Sequence, residues 1–352
     1  MGRKVSRREF LRLSARGAAA AGLAGLFGGL GSSGSRPAEA APRVEPFTFA
    51  YISDTHLYEK KLNMRFVRAI EKAVADVNAL DPQPDFVLFG GDLAQLGQKG
   101  ELDLGREILS GLRAKKYMMV GEHDWYLDMG EYWRQLFGPD TYSFDHKGVH
   151  FVVLNSVIVE DYWTATKMTP MERMKAMAQL DNPEGRPFTV GERQREWLQR
   201  DLAGVPLDRP IIVFSHSPLY RYYKNWNFWT DDAEQVQALL SRFQRVTVIH
   251  AHTHQVLTNR IGNIHFHGVL STAWPWPYAP KGLPRYTRQQ DRADPFDQFD
   301  GCGWGTVEVL PDGGVNKNYH LWGRKKTAVT YEWLSTVNEA ALPDPYQVGP
   351  HY

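Results

Sequence analysis

Short apolar runs alternate with amphipathic stretches through most of this chain, and several of the runs end on an aspartate or a histidine. Phe47 to Ser53 reads as a buried strand, with Asp54-Thr55-His56 at its end. Apolar spacing at Phe66, Ile70, Val74 and Val77 predicts a helix from Met64 to Leu80, stopped by Asp81-Pro82. The next strand, Asp85 to Phe89, runs into Gly90-Gly91-Asp92. A helix over about Glu101 to Ala114 leads to a third strand, Tyr117 to Val120, and then to Gly121-Glu122-His123-Asp124. Three strand–helix units thus deliver acids and histidines at the carboxyl ends of strands, where open α/β sheets build their sites. The glycines let the backbone turn sharply there.

Tyr142 to Phe144 and Val149 to Leu154 form a predicted hairpin around Lys147-Gly148. Glu192 to Leu202 is a predicted helix. Pro210 to Phe214 is a strand ending in Ser215-His216-Ser217-Pro218. A helix over about Asp231 to Phe243 then leads into the strand Val246 to Ile249, followed by His250-Ala251-His252-Thr253-His254. On an extended backbone residues i and i+2 share a side, so His252 and His254 are expected to face one point. Two further hairpins are predicted: Val256 to Ile261 with Ile264 to Leu270, and Gly305 to Leu310 with Val315 to Leu321. Residues 156–190, 219–230 and 272–303 read as insertions. In the first, Met168, Met171, Met174 and Met177 suggest a helical packing face. Residues 325–352 read as a poorly patterned tail with a short helical piece near Val337.

Composition adds little for the body of the chain. The 352 residues are 43% hydrophobic and 23% charged, an ordinary globular makeup, and the formal net charge of +1 carries no basic excess to favour nucleic acid. Cys302 is the single cysteine, so no intrachain disulfide forms, and it reads as structural. The N-terminus is more specific. Ser6-Arg7-Arg8-Glu9-Phe10-Leu11-Arg12, an apolar run from about Ala18 to Leu30, and Ala38-Glu39-Ala40 resemble a twin-arginine (Tat) export signal with cleavage before Ala41. The run is too short and glycine-rich for a span of about 20 apolar residues, so 1–40 reads as a signal peptide and the mature chain as lacking a stable membrane span. Such signals imply recognition by the twin-arginine export machinery, folding before translocation, and a periplasmic or extracellular destination.

The ordered set Asp54-x-His56, Gly91-Asp92, Gly121-Glu122-His123-Asp124, His216 and His252-x-His254 resembles the calcineurin-like metallophosphoesterase superfamily. Its motif series is D-x-H, G-D, G-N-H-[D/E], H and G-H-x-H. Each motif alone is weak; five in order, each after a predicted strand, are specific. The resemblance spans about Thr48 to His254 and implies an α/β (α+β) fold, a two-sheet β-sandwich flanked by helices, over residues 41–324. Phosphoester hydrolysis benefits from two cations about 3.5–4 Å apart, which activate a water and offset charge on the attacked phosphate. Aspartate and histidine suit Mn, Fe or Zn. The resemblance assigns Asp54, His56 and His254 to the first ion, His216, His252 and Glu122 to the second, and Asp92 to both. It sets His123 at the phosphate as charge stabiliser or proton donor, with Asp124 orienting it and raising its pKa. The nucleophile is then a hydroxide held by the ions.

Two positions depart from the family pattern: Glu122 replaces its asparagine and Ala251 its glycine. A carboxylate at 122 adds negative charge beside the phosphate. Gln95 stands where purple acid phosphatases carry a tyrosine ligand, which argues against their iron chemistry. His250 reads as a packed core residue. The aromatic loops, Tyr220 to Trp229 and Trp274 to Tyr278, suit an organic group attached to phosphate, or pack on one another as a cover. The chain therefore reads as an exported, metal-dependent phosphoesterase acting on a small organic phosphomonoester or phosphodiester. A pyrophosphate-bond hydrolase is the alternative within the enzyme class. A metal-binding or regulatory protein in which Glu122 has impaired catalysis is the alternative outside it.

Overall fold

The computed structural model describes residues 44–125, 127–159, 168–178, 187–291, 293–294 and 296–342. The described residues all belong to one compact unit, and the export signal read over residues 1–40 lies outside the described residues.

Two six-stranded sheets form the frame. In the first, β1 (Phe47–Ile52), β2 (Phe86–Phe89) and β3 (Lys115–Met118) run parallel. On the other edge of β1 lie the antiparallel β10 (Gly303–Val309), then β11 (Val315–Leu321) and β12 (Thr327–Val329). The second sheet runs in the order β4 (Tyr142–His146), β5 (Val149–Leu154), β6 (Ile211–Ser215), β7 (Val246–His250), β9 (Ile264–Gly268) and β8 (Thr258–Ile261). Its inner members β5, β6, β7 and β9 are parallel.

Alternation along β1 explains the layers. Phe47, Phe49 and Tyr51 enter the core between the sheets, with Phe86, Phe151 and Phe214. Phe49 stacks on Phe86 at 4.7 Å between ring centroids and meets Phe214 of the opposite sheet edge-on at 5.8 Å. Each such ring, once buried, contributes about 1.5–3 kcal/mol. Ala50 and Ile52 face the other way, onto Ile70 and Val74 of the Met64–Asn78 helix. Val213 and Val248 of the second sheet pack outward with Leu198 of the Glu192–Asp201 helix and Val236 of the Ala233–Leu240 helix. The result is the expected two-sheet sandwich between helical layers.

Several elements differ from the sequence reading. The third strand sits two residues earlier than expected, because its register with β2 pairs Lys115 to Met118 with Phe86 to Phe89. Past the third strand, Glu122–Trp125 forms one helical turn, too short to show a period in the sequence. The helix Glu131–Phe137 and strand β12 also escaped the pattern. β12 lies in the segment read as a tail, and its three residues pair with β11. The Met-rich insertion contains the helix Pro170–Ala178, whose Met174 packs against the helix-side core.

Candidate metal centre

The expected site residues converge at one end of the sandwich, past the carboxyl ends of β1, β2 and β3 in one sheet and of β6 and β7 in the other. The loops after β1 and β2 continue to pair. Asp54 N donates to Gly91 O at 3.0 Å, Thr55 N and His56 N to Asp92 O at 2.9 and 3.0 Å, and Leu57 N to Leu93 O at 2.9 Å. This ladder holds Asp54, His56 and Asp92 in fixed relation. Gly91 and Gly121 leave room for it: a Cβ on Gly91 would lie 2.5 Å from His216 Nδ1, and one on Gly121 2.1 Å from Asp92 Oδ1.

The backbone at the site is not extended. Asp54, His56, Asp92, His252 and His254 all have left-handed φ values, 51°, 45°, 52°, 66° and 49°. Such a conformation costs about 1–2 kcal/mol for a residue with a Cβ. His252 and His254 therefore reach the site through two left-handed residues, not through the pleat of a strand, and they point to different clusters instead of one point. Strain of this kind is held in place by surrounding structure and gathers at functional sites.

Two clusters stand out, with Asp92 between them, and a third group of His56, Asp92 and His123 overlaps both. Asp54, His56 and His254 form one; Glu122, His216 and His252 with Asp92 form the other. In the first, His56 Nε2 lies 3.2 Å from His254 Nε2, which lies 3.2 Å from Asp54 Oδ1. In the second, Glu122 reaches both rings: Oε1 is 2.8 Å from His252 Nδ1 and Oε2 is 2.9 Å from His216 Nε2. Asp92 Oδ2 lies 3.2 Å from His216 Nε2 and 3.7 Å from His56 Nε2, so one carboxylate oxygen serves both groups.

The far nitrogens of the rings are tied down. His56 Nδ1 pairs with Gln95 Oε1 at 3.0 Å, His254 Nδ1 with Trp274 O at 2.8 Å and His216 Nδ1 with Gly90 O at 2.7 Å. His252 is turned the other way, with Nε2 on Asn227 O at 3.2 Å. A ring that donates to a carbonyl through one nitrogen presents a lone pair through the other, the arrangement metal-binding histidines use. Three buried atoms at the centre, Asp54 Oδ2, Glu122 Oε2 and His216 Nε2, make no hydrogen bond of good geometry among the described residues, although the last two face each other at 2.9 Å. An unpaired buried polar atom costs about 1–3 kcal/mol, more when charged. Cations between the clusters would satisfy all three, so the residues present fit the metal ions implied by the sequence.

Electrostatics agree. Burial lowers His216, but Asp92 and Glu122 outweigh it and hold the ring well above its usual value. Burial raises Glu122, but His252 and His216 pull it well below the carboxylate range; His254 and His216 do the same, less strongly, to Asp54. His56 falls well below, through burial and then the neighbouring His123 and His254. The negative charge of the site thus draws positive charge into its centre.

The His123 ring stands edge-on to His56 at 4.6 Å, and its Nδ1 is held by Gln95 O at 2.7 Å. The contacts described for Asp124 are to backbone and not to that ring, where the sequence expected it to orient His123. Its Oδ1 accepts from Ala94 N and its Oδ2 from Gly121 N, both at 3.0 Å, which ties the β2 and β3 loops together. Burial and then Asp92 push its carboxyl up to about 8. Gln95 contacts both rings, His56 through its side chain and His123 through its carbonyl, and reaches Met174 Sδ at 3.5 Å. Trp274, expected only as part of an aromatic loop, stands directly at the site, with its ring 4.2 Å from that of His56. Gln95 had one legible signal, its place three residues after Asp92. His250 is a core residue, buried against the Tyr220 hydroxyl at 3.0 Å.

A family model described as calcineurin-like phosphoesterase matches residues 47–256. A probable cyclic nucleotide phosphodiesterase of Rhodopseudomonas palustris is 26% identical over 193 residues, covering 53% of this chain and 64% of the relative. A probable glycerophosphodiester phosphodiesterase of Arcobacter nitrofigilis is 25% identical over 216 residues, covering 59% of this chain and 71% of the relative. The chain thus spans just under two-thirds of the first relative's length and somewhat more of the second's. Among solved structures, a dimetal phosphatase from Danio rerio shares the fold, with a TM-score of 0.54 and 14% identity over 82% of this chain and 100% of that one.

Proposed function

The chain belongs to the calcineurin-like phosphoesterase family, whose enzymes are metal-dependent phosphoester hydrolases, and we propose that it uses two cations to cleave a phosphodiester of an organic alcohol. The observation that carries this reading is Asp92 Oδ2, which lies between two sets of converging histidine and carboxylate atoms, three of them buried without a well-formed hydrogen bond. Asp54, His56 and His254 would hold one ion, Glu122, His216 and His252 the other, and Asp92 both. Ions held there would supply an activated water and offset charge on the phosphate. His123, steadied by Gln95 O, is placed to stabilise a phosphoryl oxygen and pass a proton to the departing alcohol.

Glu122 supports a diester over a monoester. With Asp54 and Asp92 it makes three carboxylates in contact with the site histidines. A monoester brings two negative charges to that centre and a diester one. The names of both relatives specify phosphodiesters. Export through a twin-arginine pathway rests on the leader sequence alone.

The test is hydrolysis of bis(p-nitrophenyl) phosphate and p-nitrophenyl phosphate by protein reconstituted with Mn, Zn or Fe. The reading expects turnover of the diester in preference to the monoester. The competing reading, favoured by the pairing of Glu122 with both His216 and His252, is that the second position takes no ion. It expects one ion or none and no turnover with any metal.

A further inference from the structure

Beside the metal centre lies a cavity of about 560 Å³ that the catalytic reading leaves unused. His254 lines it, so cavity and metal centre share a residue. Its other walls include Trp276, Tyr278, Val256, Leu270 and Gln255. Trp276 also connects it to the second cluster: its ring lies 6.1 Å from Phe228, which stands edge-on to His252 at 5.3 Å. The volume falls within the range of small-molecule sites, about 300–1,000 Å³, and the mixture of aromatic walls with a few amides is typical of them.

We propose that this cavity binds one organic arm of the phosphodiester, and that the arm is an uncharged aromatic group the size of a nucleoside. This rests on the phosphodiesterase reading above and narrows it. Three features select the arm. Trp276 and Tyr278 offer ring faces for stacking, and the Tyr278 ring is fixed because its hydroxyl donates to Val256 O at 3.1 Å and accepts from Gln290 N at 3.1 Å. Gln255 is buried, with Nε2 donating to Pro277 O, while its Oε1 has no partner among the described residues and stands ready to accept an N–H. Arg324, the one arginine or lysine among the described lining residues, is paired with Asp300 and donates to Asp291 O at 3.0 Å. Its charge is thus compensated, which favours a neutral group over a second phosphate. A glycerol-sized arm would leave most of the space empty and both rings without a stacking partner.

The experiment compares thymidine 5′-(p-nitrophenyl) phosphate with methyl p-nitrophenyl phosphate, which share a leaving group and differ in the other arm, on the metal-reconstituted full chain. Wild type should prefer the thymidine ester by at least roughly tenfold in kcat/KM, the loss expected from one stacking partner. Trp276→Ala, and Ala293→Trp, which fills the cavity from another wall, should each collapse that ratio toward one, mainly through KM. Calorimetric titration with thymidine, which carries no phosphate, reads the cavity apart from catalysis. Binding by wild type, weakened in both variants, supports the site even if neither ester is cleaved; that outcome would count against the phosphodiesterase reading alone. A wild-type ratio near one, or a preference unchanged in both folded variants, overturns the proposal. So does the absence of thymidine binding at millimolar concentration.

Discussion

His56 Nε2 and His254 Nε2 lie 3.2 Å apart, although 198 residues separate them in the chain. Gln95 holds the far side of one ring and the Trp274 carbonyl the far side of the other. Both rings are therefore committed to the same point, and Asp54 Oδ1 faces it from 3.2 Å. Two ring nitrogens aimed at each other gain nothing unless a proton or a cation lies between them.

Removing Gln95 should loosen this arrangement. Gln95→Leu deletes the Oε1 acceptor of His56 and leaves the backbone carbonyl that holds His123. Metal affinity or activity should fall about 10–100-fold, as is common when a metal-binding histidine loses its outer partner. Metal titration of the purified variant checks this. Wild-type affinity would mean that Gln95 only fills space.

Glu122→Gln keeps the shape of the side chain and removes one charge. One unit charge about 5 Å from another at an effective dielectric constant of 20 interacts by about 3 kcal/mol. Substrate selectivity should then shift toward the monoester by up to roughly a hundredfold, with weaker binding of the second ion. Parallel kinetics on mono- and diester nitrophenyl substrates measure the shift. Selectivity that stays constant while metal binding weakens would confine Glu122 to the role of ligand.

His250, at the end of β7, is predicted to make the fold acid-sensitive. Burial pulls it down to about 3, against 6.5 for the free side chain. Between those values the unfolded chain binds more protons than the folded one, so stability is intact above about pH 6.5 and declines as pH falls toward 3. His250→Gln should flatten that slope without abolishing it, because His265 and His320 are likewise lowered to about 4 by burial. Urea unfolding of metal-free protein across this pH range reads the slope. An unchanged slope in the variant would show that His250 charges without penalty.

The leader makes its own prediction. Arg7→Lys with Arg8→Lys should retain the protein in the cytoplasm if the twin-arginine pattern directs export. Cell fractionation of tagged full-length chain decides it, and normal export of the double variant would remove the pathway.

Much of the site was legible because its residues follow strands that are themselves legible. Asp54, Asp92, His216, His252 and His254 each lie past an apolar run that became a parallel strand. The two-sheet sandwich followed from the same runs. What was hidden depends on contacts without a period. Gln95 and Trp274 act partly through main-chain oxygens, which any residue carries. Asp124 was placed beside His123 because it is next in sequence, but in a helical turn successive side chains diverge. The left-handed backbone at five of the ligand positions was equally invisible, since neither aspartate nor histidine requires it. β12, with three residues, is too short to alternate.

The most direct test of the two-cation centre is metal content by mass spectrometry, measured beside diester hydrolysis, for wild type and Asp92→Asn. Asp92 Oδ2 lies 3.2 Å from His216 and 3.7 Å from His56, between the two clusters, and approaches the far cluster more closely than Asp54 Oδ1, which is 3.9 Å from His216. The account predicts about two ions per wild-type chain, with loss of both bound metal and turnover in the variant. Wild type holding one ion or none after reconstitution, or an Asp92→Asn variant with full metal content and unchanged activity, would contradict it.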